Sequence, residues 1–513
     1  MSTTGDAAAA APVQLRFGSR SGRAALVATV AASGMSQLDA TIVNVALPHI
    51  GADLGVDVAA LQWVLTGYLL TLASLILLGG ALGDRYGRRK IFLVGTVWFA
   101  VASLLCAGAH GAALLIAARI LQGVGAALLT PGSLAILQAS FTRDDRARTV
   151  AAWSALGGVA GALGPLLGGW LVDGPGWRWA FLINIPVAAI VIVCSKAIPE
   201  TRDEHATHLD IAGAAFAVVT LAATTFALTE ARPRGWHDPL VALAAIVGVT
   251  GIVAFVVHVR RSATPLVPPR LFADRTFTTT NAATFALYAA IGVTFFLVAY
   301  QLQVAAGWSA LEAGTALLPA TILMLLGSGR SSALAQRIGP RTQLTIGPLL
   351  LAVGLVALSR LGTDPSWIRD LLPGAALFGV GLVTFVAPLT ATVMAAVDAD
   401  HVSIASGVNN AIARTASLTA LAVIPVVAGV TTASGPDAIT DACRTALVIA
   451  AGCAVIAAPI AFFGLAPATR GHRSARRSFC PIDGPPLQPN PAKCPLPATT
   501  ATQPTGRQSA PLG

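Results

Sequence analysis

Charge is what this sequence most lacks. Only 11% of its 513 residues are Asp, Glu, Lys or Arg, against roughly 25% in a soluble domain. Hydrophobic residues make up 55%, and the mean hydropathy is +0.73. A chain so poor in charge cannot keep most of its surface in water, which excludes a soluble multidomain protein. Clustered metal ligands are missing too. The six cysteines (Cys106, Cys194, Cys443, Cys453, Cys480 and Cys494) have no ligand spacing and read as small core residues or free tail thiols. Neither a Walker loop nor a nucleophile elbow is present, so no enzyme, metal or cofactor is expected. The formal net charge of +10 does not imply nucleic acid, because Lys and Arg sit in short loops between apolar runs rather than along one face. Arg16, Arg20 and Arg23 precede a long apolar run that contains Asp39, a pattern unlike a cleaved signal peptide.

What the sequence does have is apolar runs of about 20 residues, each enough for a helix to cross a hydrocarbon core about 30 Å thick. They fall near 24–47, 60–82, 91–109, 112–138, 149–172, 180–197, 211–229, 239–258, 278–303, 312–329, 343–359, 371–396, 405–430 and 444–466, giving an all-α polytopic membrane protein of fourteen transmembrane helices. With the N-terminus inside, 25 of the 33 Lys and Arg fall in the inside segments and 6 in the outside loops, leaving Arg119 and Arg414 within spans. That asymmetry predicts an even helix number and both termini in the cytoplasm. Residues 470–513, rich in Pro, Thr and Gln, predict a disordered cytoplasmic tail.

Asp39, in the run Leu38-Asp39-Ala40-Thr41-Ile42-Val43-Asn44, is the one acidic residue clearly mid-span. A charged Asp at such depth costs about 2.5 to 3.5 kcal/mol, so it must pair, face water or accept a proton. It is either a helix-bonding group or a proton or substrate site. After the second span, Gly80-Ala81-Leu82-Gly83-Asp84-Arg85-Tyr86-Gly87-Arg88-Arg89-Lys90 places an Asp between two glycines at a helix end, which allows a tight turn beside a basic cluster. This segment resembles the signature of the major facilitator superfamily, Gly-x-Leu-x-Asp-x-x-Gly-Arg-Arg. The fourth-span run Ala118-Arg119-Ile120-Leu121-Gln122-Gly123 resembles that superfamily's proton-transfer motif. Arg119 and Gln122, three apart, share a helix face. An intramembrane Arg needs a partner, and Asp39 is the deep carboxylate available, for proton coupling or for a structural ion pair.

In the fifth span Gly157, Gly161, Gly164 and Gly168 form one stripe that lets another helix approach closely. The run Gly164-Pro165-Leu166-Leu167-Gly168-Gly169 resembles the antiporter motif of proton-driven exporters. Residues 177–186, 266–272 and 301–319, with the Asp39 segment, resemble the fourteen-helix drug:proton antiporter family. The resemblance covers most of residues 24–430. It implies two six-helix bundles, at 24–197 and 260–469, joined by a linker with two inserted helices at 198–259, between a tail at 1–23 and the tail at 470–513. It implies export of small lipophilic drugs or antibiotics in exchange for protons, conferring resistance, by a monomer in a bacterial cell membrane. Asp39, Arg119 and Gln122 would couple the proton, and Gly80, Asp84, Arg85, Gly87, Arg88 and Arg89 would form a cytoplasmic conformational switch. The alternative is a proton-coupled nutrient importer on the same fold. Thirty Arg against three Lys, with abundant Ala and Gly, fit a GC-rich bacterial genome.

Two departures stand out. The second-half counterpart of the loop signature, Ala335-Gln336-Arg337-Ile338-Gly339-Pro340-Arg341, has no Asp. The thirteenth span carries Ser406-Gly407-Val408-Asn409-Asn410 and Arg414 without the small-residue pattern expected after them. No second acidic residue is clearly mid-span, and Glu230 and Glu312 lie near span ends. If a substrate cation competes with a proton for Asp39, neutral and monocationic molecules should be exported better than dications.

Overall fold

A computed structural model describes residues 14–202, 209–262, 265, 267–397, 402–430 and 435–466. The tail at 470–513 lies outside the described residues. The described residues are mainly helical, in the order α1 (Arg20–Leu54), α2 (Val58–Tyr86), α3 (Arg88–Ala107), α4 (Ala112–Ser140), α5 (Arg143–Asp173), α6 (Trp179–Leu182), α7 (Asn184–Ser195), α8 (Ile211–Arg234) and α9 (Pro239–Arg261). The remainder comprises α10 (Arg275–Val304), α11 (Ala310–Thr315), α12 (Leu318–Ile338), α13 (Pro340–Leu358), α14 (Leu372–Ala395), α15 (Val402–Ala428) and α16 (Pro436–Gly464).

Helix ends follow local chemistry. The Ser19 and Asp57 side chains accept main-chain N–H bonds from Gly22 and Ala60 and start α1 and α2. Gly55, at φ +62°, closes α1. Gly87, at φ +110°, turns α2 into α3, a backbone conformation for which glycine is the natural residue. Gly339, at φ +84°, repeats the turn between α12 and α13, with Pro340 opening α13.

Twelve described segments are long and apolar enough to span a membrane: α1–α4, α8–α10, Ala310–Ala335, α13, Trp367–Ala395, Ile404–Ala428 and α16. The remaining two of the fourteen expected spans correspond to α5 and to Trp179–Ser195, a shorter apolar stretch that breaks at Ile183 between α6 and α7. Along α9 only Val241 and Gly248 are buried, while Ile246 and Val249 are 61% and 65% exposed. In a bilayer such a face meets lipid, which costs it nothing.

Helices α1–α7 pack among themselves, as do α10–α16, and α8 pairs with α9 while also lying against α2 and α15. Glu230 helps hold α8 in place: one carboxylate oxygen accepts from Trp63 Nε1 at 2.8 Å, and the other pairs with Arg234 at 2.9 Å. Glu312 caps α11, its side chain accepting from the Ser309 N–H while the Ser309 hydroxyl accepts from the N–H of Glu312. Between the two sets, α2 meets α15, α5 meets α11 and α12, and α1 meets α10.

Candidate functional site: a buried charge cluster beside a cavity

Asp39 is buried at the middle of α1, and four further helices contribute to the cluster around it. Arg119, from α4, donates through Nη1 to Asp39 Oδ2 at 2.5 Å and to Gln122 Oε1 at 2.6 Å, and through Nε to the Val64 carbonyl of α2 at 3.0 Å. Gln122 Nε2 donates to Asp39 Oδ1 at 2.8 Å and to Ser103 Oγ of α3 at 2.8 Å. Asn184 Nδ2, from α7, donates to the same Asp39 oxygen at 3.1 Å and to Ser103 Oγ at 3.2 Å. The guanidinium lies over the Tyr68 ring, 4.3 Å from its centroid. Asp39, Arg119, Gln122 and Ser103 are 0% exposed and Asn184 is 1% exposed. The charge on each partner is therefore met by the other and by neutral donors and acceptors, the arrangement a buried ion pair needs.

A cavity of about 630 Å³ lies at the Asp84 end of α2, with Gly80, Asp84, Asp210, Arg260 and Arg270 in its walls. A deeper one of about 230 Å³ shares Ile76, Pro131 and Gly407 with it and reaches Ser36, Gln37, Trp153 and Arg414. Asp39 belongs to neither wall. A cation in either cavity therefore lies apart from the Asp39 carboxylate in this conformation.

At the opposite helix ends, α5 closes on α11. Both Asp173 carboxylate oxygens accept main-chain N–H bonds, from Ala310 at 3.0 Å and Leu311 at 2.8 Å. A Cβ at Gly169 would collide with the Leu311 backbone, and one at Gly314 with the Pro165 carbonyl. Further along α5, a Cβ at Gly164 would strike Thr41 Oγ1 and one at Gly168 the Ile42 backbone of α1. The stripe thus fits α5 between α1 and α11. The packing around Gly157 and Gly161, on the same helix, lies outside the described residues.

Comparison with known proteins places this arrangement. The family model for the Major Facilitator Superfamily matches residues 29–421. The chain belongs to that superfamily. It is therefore a multi-pass membrane transporter and not an enzyme. Similar proteins include the puromycin resistance protein pur8 of Streptomyces alboniger, 36% identical over 75% of this chain and 77% of that protein. The methylenomycin A resistance protein of Bacillus subtilis (strain 168) is 32% identical over 77% of this chain and 84% of its own length. The cephamycin export protein CmcT of Amycolatopsis lactamdurans is 33% identical over 80% and 86%. Among solved structures, a peptide transporter POT in complex with sulfate superposes with a TM-score of 0.63 at 18% identity, over 88% of this chain and 96% of that one. A bacterial homologue of the human lysosomal transporter Spinster, in an inward-facing and unoccupied conformation, gives a TM-score of 0.61 at 17% identity, over 86% and 96%. At such identities the likeness concerns the fold.

The superfamily signature loop sits beside the cavity mouth. Asp84 pairs with Arg88 at 2.7 Å across the Gly87 turn. Glu200 accepts main-chain N–H bonds from Arg89 at 3.0 Å and Lys90 at 3.1 Å, its carboxylate filling the space that a Cβ on Gly87 would occupy. A carboxylate there also complements the N-terminal dipole of α3. The α12–α13 turn has no such Asp, and its Arg341 instead covers the Phe462 ring, 4.2 Å from the centroid. On α15, close packing comes from the partner helix: Gly292 of α10 makes room for Ser417, whose hydroxyl donates to the Tyr288 carbonyl at 3.1 Å. Sequence reasoning missed Ser103, Asn184 and Tyr68. Asn184 did carry a signal, as a lone amide within the apolar stretch Phe181-Leu182-Ile183-Asn184-Ile185.

Proposed function

We propose that this transporter exports small lipophilic organic molecules from the cytoplasm in exchange for protons, and so confers resistance to a drug or antibiotic. The observation that carries the reading is the enclosed Asp39–Arg119 pair: a carboxylate held by one guanidinium and two amides, where gain of a proton removes the charge that Arg119 requires. Relatives named for antibiotic resistance and export support efflux over the alternative of nutrient uptake. In this reading Asp39, Arg119 and Gln122 couple the proton, Asp84, Arg85 and Arg88 with Gly80, Gly87 and Arg89 form the switch at the cavity mouth, and the α5 glycines form the far seal. The chain works as a monomer in the cell membrane by alternating access, with fourteen spans, both termini cytoplasmic and α8–α9 inserted between two six-helix bundles. The cavity at the Asp84 end then faces the cytoplasm, with the α5–α11 seal outside.

Everted membrane vesicles test this directly. An acid lumen should drive accumulation of lipophilic fluorophores from a panel of neutral, acidic and basic dyes, and Asp39→Asn should abolish the dependence on the pH gradient. Release of preloaded dye under the same gradient would identify an importer instead.

A further inference from the structure

Arg414 is the charged group of the deep cavity. Every other side chain in that wall is neutral, including Gln37, Thr130 and Trp153. Its described contact is a single hydrogen bond, from Nη2 to Gln37 Oε1 at 2.7 Å. Among the described residues no carboxylate lies within ion-pair distance of it. The contrast with Arg119 is direct: one intramembrane Arg is enclosed and matched by a carboxylate, the other borders open space and is matched by a neutral amide.

An intramembrane guanidinium without an anion is costly, and its planar fork of N–H donors suits a carboxylate. A bound anion removes that cost, whereas a cation adds like-charge repulsion in a low-dielectric space. Asp39 cannot offset a cation there, because both its oxygens are engaged and it lies outside the cavity wall.

We propose that Arg414, with Gln37 beside it, forms an anion-recognising subsite in the deep cavity, and that the preferred substrates are lipophilic molecules bearing a carboxylate or comparable single anionic group. This rests on the export reading for its physiological direction, but not for binding.

The test uses the full-length purified protein in detergent and three probes of matched size and apolarity: pyrenebutyrate, pyrenebutanamide and pyrenebutylamine. Binding is read by pyrene fluorescence anisotropy. The carboxylate should bind at least about tenfold more tightly than the amine, with the amide between, as a charge-assisted pair predicts. Arg414→Gln should reduce the carboxylate-to-amine ratio to near one. Because that variant removes a mid-span side chain, Gln37→Glu provides an isosteric second arm: it places a carboxylate 2.7 Å from the Arg414 fork and should equally erase the preference. Equal or reversed affinities in the native protein, or a preference that survives in folded Arg414→Gln or in Gln37→Glu, would overturn the assignment. The same probes in everted vesicles, each read as the difference from vesicles lacking the protein so that passive trapping of the amine in the acid lumen cancels, separate the two readings. Tight carboxylate binding without protein-dependent accumulation refutes export alone, and protein-dependent accumulation of the amine over the carboxylate refutes the anion subsite alone.

Discussion

Substituting Asp39 by Asn removes one charge and alters no shape, which makes the cost calculable from the contacts. Asp39 Oδ1 accepts from two amides and Oδ2 from Arg119. An Asn can satisfy the amides through its single oxygen, which turns its NH2 toward the guanidinium as donor against donor. Arg119, 0% exposed, keeps its bonds to Gln122 Oε1 and the Val64 carbonyl but loses its counter-charge. Breaking a buried pair in this way costs about 3–5 kcal/mol. Arg119→Gln strands the carboxylate instead and should cost a comparable amount. The double variant Asp39→Asn/Arg119→Gln leaves two neutral amides that can bond each other, and should return to within about 2 kcal/mol of the native protein. Unfolding midpoints of the four purified proteins give the coupling energy, and everted vesicles give gradient-driven transport for each. The expected result is recovered stability without recovered proton coupling. Additive penalties would refute the energetic pairing, and a double variant that regained both stability and gradient-driven transport would reduce Asp39 to a structural partner.

Two further outcomes follow from the ends of the pathway. Asp84→Asn breaks a partly exposed pair with Arg88, so stability should fall by no more than about 1 kcal/mol; the labelling rate of a cysteine placed at Ser262, in the cavity wall, should nevertheless change about threefold or more as the conformational population shifts, and an unchanged rate would remove the loop from the switch. Gly169→Leu places side-chain atoms where the Leu311 backbone lies, a clash no rotamer relieves; labelling of a cysteine at Ser309 should rise about tenfold as the α5–α11 seal parts, and wild-type labelling with wild-type transport would show that the contact is not a gate.

Charge in an apolar setting is legible because its cost demands an explanation, and the pairing of Asp39 with Arg119 follows from that cost alone. The turn at Gly87 is legible for a similar reason, a glycine beside an Asp at a helix end. The α5 stripe announces a close approach, but helical periodicity does not name the partner; only the fold shows that Gly164 and Gly168 face α1 while Gly169 faces α11. Ser103 was invisible, since a hydroxyl is cheap within a span when it bonds its own helix, as Ser103 also does to the Phe99 carbonyl at 2.8 Å, and Tyr68 bonds Ser36 of α1, a contact between helices that only the fold shows. Arg414 was visible as a second intramembrane Arg, yet its having no acidic partner among the described residues is a property of the assembled cavity, which no run of sequence reveals.

The three parts of the proposed cycle meet on one turn and a half of α1. Gln37 faces the cavity and accepts from Arg414; Asp39, two residues on and so on a different face, holds Arg119; Thr41 and Ile42 fill the space that Gly164 and Gly168 leave on α5. The contacts onward from α5 to α11 involve backbone atoms at Gly169 and Gly314, with no flexible side chain between to absorb a displacement. In the proposed cycle a shift of α1 would therefore be passed to the seal rather than dissipated. The bond from Asp39 to Arg119 ties α1 to α4, and Arg119 in turn holds the Val64 carbonyl of α2. In the proposed cycle a proton on Asp39 would weaken that tie while leaving the α1–α5–α11 contacts intact, and an anion on Arg414 would compete with Gln37 for the same guanidinium. Both ligands would thus act on the position of a single helix relative to its neighbours, the physical requirement for one to bias the other.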